Sequence, residues 1–185
     1  MAWVLFSLGS NAERRRRIGA ALSAMHQAFG PLQVSRVFES RPVGFESPHN
    51  FYNLVVGAHI DWPVARLSAW CKGVERDNGR DHSAPRFSAR SLDIDILTVD
   101  DLTGVIDGIS LPREEIDYNA FVLRPLAESF GDQRHPRTRE RYAVMWQRLD
   151  TGAQRLWPID FDWRGRRLSS ASPRGSVTLA PALVE

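Results

Sequence analysis

Residues 2–11, AWVLFSLGSN, form an apolar run closed by small polar residues, which predicts a strand ending in a Gly-Ser-Asn turn. Asn11 stands where it would cap the next helix. There Ile18, Leu22, Met25 and Phe29 recur at helical spacing until Gly30-Pro31 ends the pattern. Residues 32–40, LQVSRVFES, alternate weakly and predict a second strand, and RPVGFESPHN is a loop by its turn formers. FYNLVVGAHI (51–60) predicts a third strand, central in its sheet because its middle is aliphatic. Pro63 suits the first turn of a helix with a buried face of Val64, Leu67, Cys71 and Val74, ended by Asn78-Gly79. A polar loop, GRDHSAPRFSAR, then leads into a fourth strand, SLDIDILTV. DDLTGVIDG predicts a turn and a short strand. A proline-led turn and a helix after Phe121 follow, and RYAVMWQRL predicts another helix. The order β-α-β-β-α-β predicts an α+β fold with a ferredoxin-like split βαβ core and an antiparallel-containing sheet.

From residue 151 the pattern changes. Trp157, Ile159, Phe161 and Trp163 share one parity, with a turn at Arg164-Gly165, so residues 151–168 read as a hairpin packed on a domain of residues 1–150. Residues 169–185 are small and rich in Ser and Pro, and read as a mobile tail.

Composition narrows the function classes. A chain of 185 residues with a net charge of +2 does not demand a nucleic acid partner. The arginine run at 14–17 reads as a solvated face or as an anion contact at a helix start. No apolar run reaches the roughly 18 residues that span a bilayer, and the opening residues read as a strand, not a leader. With Cys71 as the single cysteine, no internal disulfide forms, and a reducing cytoplasm is the simplest home.

Within residues 89–97, ARSLDIDIL, the apolar Leu92, Ile94 and Ile96 share one parity and Asp93 and Asp95 the other. Side chains two residues apart on a strand point the same way, about 6.6 Å apart along the chain. Two carboxylates so placed repel by roughly 2 kcal/mol at an effective dielectric of about 20. Hard divalent cations such as magnesium offset that repulsion, and two ions can share a pair of acids. Asp-x-Asp is also the pattern of an ordinary solvated strand face. The neighbouring Arg80, Arg86 and Arg90 favour phosphate chemistry, because guanidinium groups neutralise charge that develops during transfer. Asn53, an amide inside an apolar strand, needs hydrogen-bond partners or costs about 1–3 kcal/mol.

The block RFSARSLDIDIL resembles the signature of the 6-hydroxymethyl-7,8-dihydropterin pyrophosphokinases of folate biosynthesis. LGSN (8–11), SRPVGF (40–45), FYNLVV (51–56), VERDNGR (74–80) and NAFVLRPLAE (119–128) match in the same order. The resemblance covers residues 1–150. It implies transfer of the β,γ-pyrophosphoryl group of ATP to the pterin's hydroxymethyl oxygen, with release of AMP. It implies that Asp93 and Asp95 hold two Mg2+ ions and that Arg80 and Arg90 steady the transferring charge. Glu75, Ile96 and Arg113 fall on the nucleotide side. Phe51 and Phe121 match the aromatics that sandwich the pterin, Asn53 matches the residue at its amide edge, and Ser40 and the backbone near Val43 complete its recognition. From the residues alone, Phe51 and Phe121 read as core residues.

The chain departs from the family pattern at Arg113 and Glu114, where a histidine and an aromatic are common. Asn119, His82 and Phe87 stand where the family commonly has arginine, arginine and tryptophan. A diverged pterin-binding paralogue, with an altered pterin or little kinase activity, is the alternative. An RNA-binding ferredoxin-like module is the other class. FYNLVVGAHI lacks that class's Arg-Gly-Phe-type run, and acids occupy the fourth strand's polar face. The expected partners are therefore a reduced pterin and ATP, with neither nucleic acid nor membrane, for a monomer or weak homodimer.

Overall fold

In the computed structural model, residues 1–79, 92–172 and 182–185 are described. The first strand, β1 (Ala2–Ser10), carries two alternating sets of side chains. Val4, Phe6 and Leu8 belong to one buried cluster and Leu5 to another, so the strand is covered on both faces. It is followed by α1 (Arg14–Phe29), β2 (Leu32–Val34), β3 (Phe38–Ser40), β4 (Phe51–Ile60), α2 (Val64–Asp77) and β5 (Asp93–Val99). The hairpin of β6 (Gly104–Ile106) and β7 (Ile109–Leu111) leads through a short 3-10 turn into α3 (Ala120–Ser129) and α4 (Tyr142–Arg148). The chain closes with β8 (Leu156–Pro158), β9 (Phe161–Trp163), β10 (Arg166–Ser169) and β11 (Ala182–Val184).

The main sheet runs β11-β2-β4-β1-β5, with β3 beside the other half of β4 and β8 outside β3. Every ladder in it is antiparallel. The order of β5, β1, β4 and the β2/β3 pair is the split βαβ arrangement of an α+β fold. On one face Ile18, Leu22 and Met25 of α1 and Leu67, Cys71 and Val74 of α2 pack against Phe6, Leu54 and Ile94. On the other face Val122, Leu123 and Leu126 of α3 and Tyr142 and Met145 of α4 pack against Leu5, Val55 and Leu97.

Four local expectations are corrected. The single strand over 32–40 is two strands, because Ser35 breaks the ladder. Its N–H donates to the Val55 carbonyl at 2.9 Å and its Oγ accepts from the Val55 N–H at 2.8 Å. Asn11 does not cap α1. The cap position is Glu13 (φ 45°), whose carboxylate pairs with Arg16 at 2.7 Å and Arg17 at 2.6 Å. The rest of the arginine run is also engaged: Arg14 pairs with Glu39 at 2.8 Å over the Tyr52 ring, and Arg15 donates to the Asp160 carbonyl at 2.9 Å. Trp157 does not follow Phe161 and Trp163 into the core, since it lies on β8, which pairs with β3 and leaves it 38% exposed. Lastly, the segment read as a tail contributes strand residues at both ends. Ser169 belongs to β10, where its Oγ accepts from the Val37 N–H at 3.0 Å, and Ala182–Val184 pairs with β2.

β9 and β10 join through Arg164 (φ 50°) and Gly165 (φ 72°), the two positive-φ positions that a tight hairpin turn needs. The hairpin docks on α1 through Trp163, whose Nε1–H is shared between the Gly19 carbonyl (3.1 Å) and Ser23 Oγ (3.2 Å). Trp163→Ala removes a buried aromatic and is expected to cost about 3–5 kcal/mol, read as a lower urea midpoint. A midpoint unchanged from wild type would mean that the hairpin adds nothing to the core.

Candidate active site

One face of the sheet changes character along its length. Leu5, Val55 and Leu97 lie beneath α3, but the next residues of the same parity are Ser7 and Gly9 on β1, Asn53 and Phe51 on β4, and Asp95 and Asp93 on β5. The register places Gly9 opposite Asn53 on one side and Asp93 on the other, and Ser7 opposite Asp95. α3 begins beyond this point, so the small and polar residues floor an open cavity of about 210 Å³. Gly9 suits a close approach, as a Cβ there would sit 3.1 Å from Asn53 Oδ1, a tight contact.

Aromatic residues wall the cavity. Phe51 stands at the start of β4 and Phe121 in the first turn of α3. Phe45, from the loop after β3, meets Phe51 edge-on with ring centroids 6.0 Å apart, and Val43 of the same loop lies at the mouth. Asn53 Nδ2 donates to Ser40 Oγ at 2.7 Å, and both residues are buried. This bond fixes the amide at the floor and leaves it further donor and acceptor capacity.

A second cavity, about 300 Å³, opens along the edge of β5. Ser68, Cys71, Lys72 and Glu75 of α2 line one side, and Ile94, Asp95, Ile96, Ile109 and Arg113 the other. Asp95 and Arg113 line both cavities. Arg113 Nη2 donates to Asp95 Oδ1 at 2.8 Å, and its Nε lies 3.1 Å from Glu115 Oε2. Glu75 is buried, and its Oε1 accepts the Ile94 N–H at 2.8 Å, which ties α2 to β5 between the two acids. Burial pushes the Cys71 thiol far above its ordinary range, with Glu75 and Asp95 adding to the shift.

The structure thus brings Ser40, Val43, Phe51, Asn53, Asp93 and Phe121 around the first cavity and Glu75 and Ile96 around the second, with Asp95 and Arg113 between them. Arg80 and Arg90, and with them His82 and Phe87, lie outside the described residues. Sequence reasoning missed Ser7, Gly9, Phe45 and Glu115. The available signal for the first two was the loss of bulky residues from one parity of an otherwise aliphatic strand. Among the described residues no three or more His, Cys, Asp or Glu side chains gather as a metal cluster, so any cation held here relies on the two aspartates and on ligands from elsewhere.

The fold and site define an α+β domain with two adjoining cavities and carboxylates at their junction. The chain belongs to the 7,8-dihydro-6-hydroxymethylpterin-pyrophosphokinase family, whose sequence pattern matches residues 5–130. It is 34% identical over 137 residues to the 2-amino-4-hydroxy-6-hydroxymethyldihydropteridine pyrophosphokinase of Porphyromonas gingivalis, covering 69% of this chain and 90% of that one. The protein of the same name from Aquifex aeolicus is 31% identical over 137 residues, covering 74% and 85%. Among solved structures, an HPPK-DHPS in complex with substrates superposes with a TM-score of 0.63 at 13% identity, a likeness of fold. The superposition covers 79% of this chain and 43% of that one.

Glu75→Ala leaves the buried Ile94 N–H without its acceptor and is expected to destabilise the fold by about 1–3 kcal/mol, checked by urea unfolding. An unchanged midpoint would remove the structural role assigned to this carboxylate.

Proposed function

We propose that the chain transfers pyrophosphate from ATP to the hydroxymethyl group of 6-hydroxymethyl-7,8-dihydropterin, in folate biosynthesis. The observation that carries this reading is the meeting of an aromatic-walled cavity and a second cavity at Asp95 and Arg113. Two substrates bound one in each would present their reacting groups to each other at the acids. Relatives named as pyrophosphokinases of this pterin support the assignment.

The flat pterin stacks between Phe51 and Phe121, and Asn53, held by Ser40, pairs with its amide edge. The loop backbone near Val43 completes its recognition. ATP takes the second cavity, with Glu75 on its nucleoside side and Ile96 against the base. Asp93 and Asp95 offer only hard oxygen donors, two residues apart on one strand face, and so fit magnesium; they would hold two ions. Bound there, the cations neutralise the phosphate chain and lower the energy of the developing charge.

In the transfer, the hydroxymethyl oxygen attacks the β-phosphorus, the bond from that phosphorus to the oxygen bridging to the α-phosphate breaks, and AMP leaves with that oxygen. Asp95 accepts the hydroxyl proton. Arg113 is placed to exchange its carboxylate partner for phosphate oxygens, and Arg80 and Arg90, by the resemblance, would steady charge during the transfer. The chain acts as a monomer or weak homodimer in the cytoplasm, a home supported by its single, buried, free cysteine. Among the described residues no helix is long and apolar enough to cross a membrane.

A second reading, a paralogue with a different reduced pterin, is favoured by Glu115 and Asn119, which line the first cavity. AMP release from MgATP with 6-hydroxymethyl-7,8-dihydropterin, run beside dihydroneopterin and dihydromonapterin, separates the two.

Asp95→Asn is expected to lower AMP release by about 10²–10³-fold with unchanged urea unfolding; full turnover in this variant would overturn the assignment. Asn53→Ala is expected to raise the KM for the pterin about tenfold and leave that for MgATP within twofold. Equal rises in both constants would count against the pterin slot.

A further inference from the structure

The helix that carries Phe121 begins without a cap of its own. Asn119 at its cap position makes no side-chain capping bond, yet Ala120, the first residue of α3, is fully buried. Its N–H is satisfied from 34 residues away, by Gln154 Oε1 at 2.8 Å. The same amide donates through Nε2 to the Tyr118 carbonyl at 2.9 Å. Gln154 therefore grips both sides of Asn119, and Asn119 and Phe121 both line the first cavity.

The next two residues reach the opposite wall. The Arg155 carbonyl accepts from the Arg41 N–H at 3.0 Å, and Leu156 pairs with Ser40, the residue that holds Asn53. Gln154 is itself fixed by a tight turn. Its N–H donates to the Thr151 carbonyl at 2.8 Å, Gly152 adopts φ 51°, and the Gly152 N–H is held by Asp150 Oδ1 at 2.9 Å. A hydrogen-bonded turn outside the matched residues 5–130 thus ties the start of α3 to the end of β3.

We propose that Gln154 is a positioning residue for the pterin pocket, acting through α3 by setting the height of Phe121 over the floor made by Gly9 and Asn53. The proposal rests on the pyrophosphokinase reading for its ligand. The clamp itself does not depend on that reading. A side-chain amide suits the task because one group accepts from the helix's first N–H and donates to the carbonyl two residues earlier. Glutamate at this position would keep the acceptor, with a charge that favours a helix N-terminus, and lose the donor.

The test uses the full chain as wild type, Gln154→Ala and Gln154→Glu. Amide hydrogen exchange over residues 118–123, the thermal midpoint, and KM for 6-hydroxymethyl-7,8-dihydropterin and for MgATP are measured on each. Gln154→Ala is expected to speed exchange in that segment about tenfold and to raise the pterin KM about tenfold. The MgATP KM should stay within twofold, and Gln154→Glu, which keeps the Ala120 acceptor but turns an oxygen toward the Tyr118 carbonyl, should recover only part of both losses. An unchanged pterin KM in Gln154→Ala overturns the proposal, as does an equal rise in both KM values with a lowered midpoint. A wild-type chain that releases no AMP sinks the pyrophosphokinase reading alone, and the exchange of residues 118–123 then decides whether the clamp exists.

Discussion

The structure depends on β1 being hydrogen-bonded along both edges, to β4 on one side and β5 on the other. That double pairing sets Gly9 between Asn53 and Asp93, and Ser7 beside Asp95. Side chains alternate with a period of two, so a slip of one residue in either ladder would send the polar groups into the α1–α2 core. It would also turn Phe6 or Ile94 out into the cavity. The burial that stabilises the domain and the constellation that forms the site are thus one specification. Leu5, Val55 and Leu97 anchor α3 on the same face whose continuation is left open for ligands.

The open end is polar at a cost. Two carboxylates share a face, and an amide lies buried beside a glycine. Asn53 donates locally to Ser40, which orients its amide. Asp95 is paired instead with Arg113, both side chains being about a third exposed. Partly exposed pairs of this kind contribute little to stability. The site thus sets a hydrogen-bonded amide at its floor beside an ion pair at the junction of the two cavities.

The residues after 150 are woven into this arrangement at several points. Trp163 docks on α1, β8 extends the sheet beyond β3, and Gln154 closes the start of α3. The alternation of Trp157, Ile159, Phe161 and Trp163 suggested one element, but the chain divides it between two sheets. β8 satisfies the free edge of β3, and the hairpin covers a helix, so equal parity on paper led to different surroundings.

The sequence by itself determined the strongly patterned parts: β1 and β4 by their apolar runs, β5 by alternation, and α1 and α2 by spacing and by their Gly and Pro boundaries. It also exposed the two aspartates and the buried amide, because an acid or amide within an apolar strand departs from a local pattern. Tertiary structure alone decided whatever depends on a partner distant in sequence. Ser35 splits a strand because Val55 lies opposite; Ala182–Val184 joins the sheet because β2 offers an edge; Gln154 caps a helix that begins 34 residues earlier. Gly9 gained its meaning only from the approach of Asn53. Periodicity records which face a residue turns to the core, whereas a hydrogen bond across the fold leaves no mark on the local pattern of either partner.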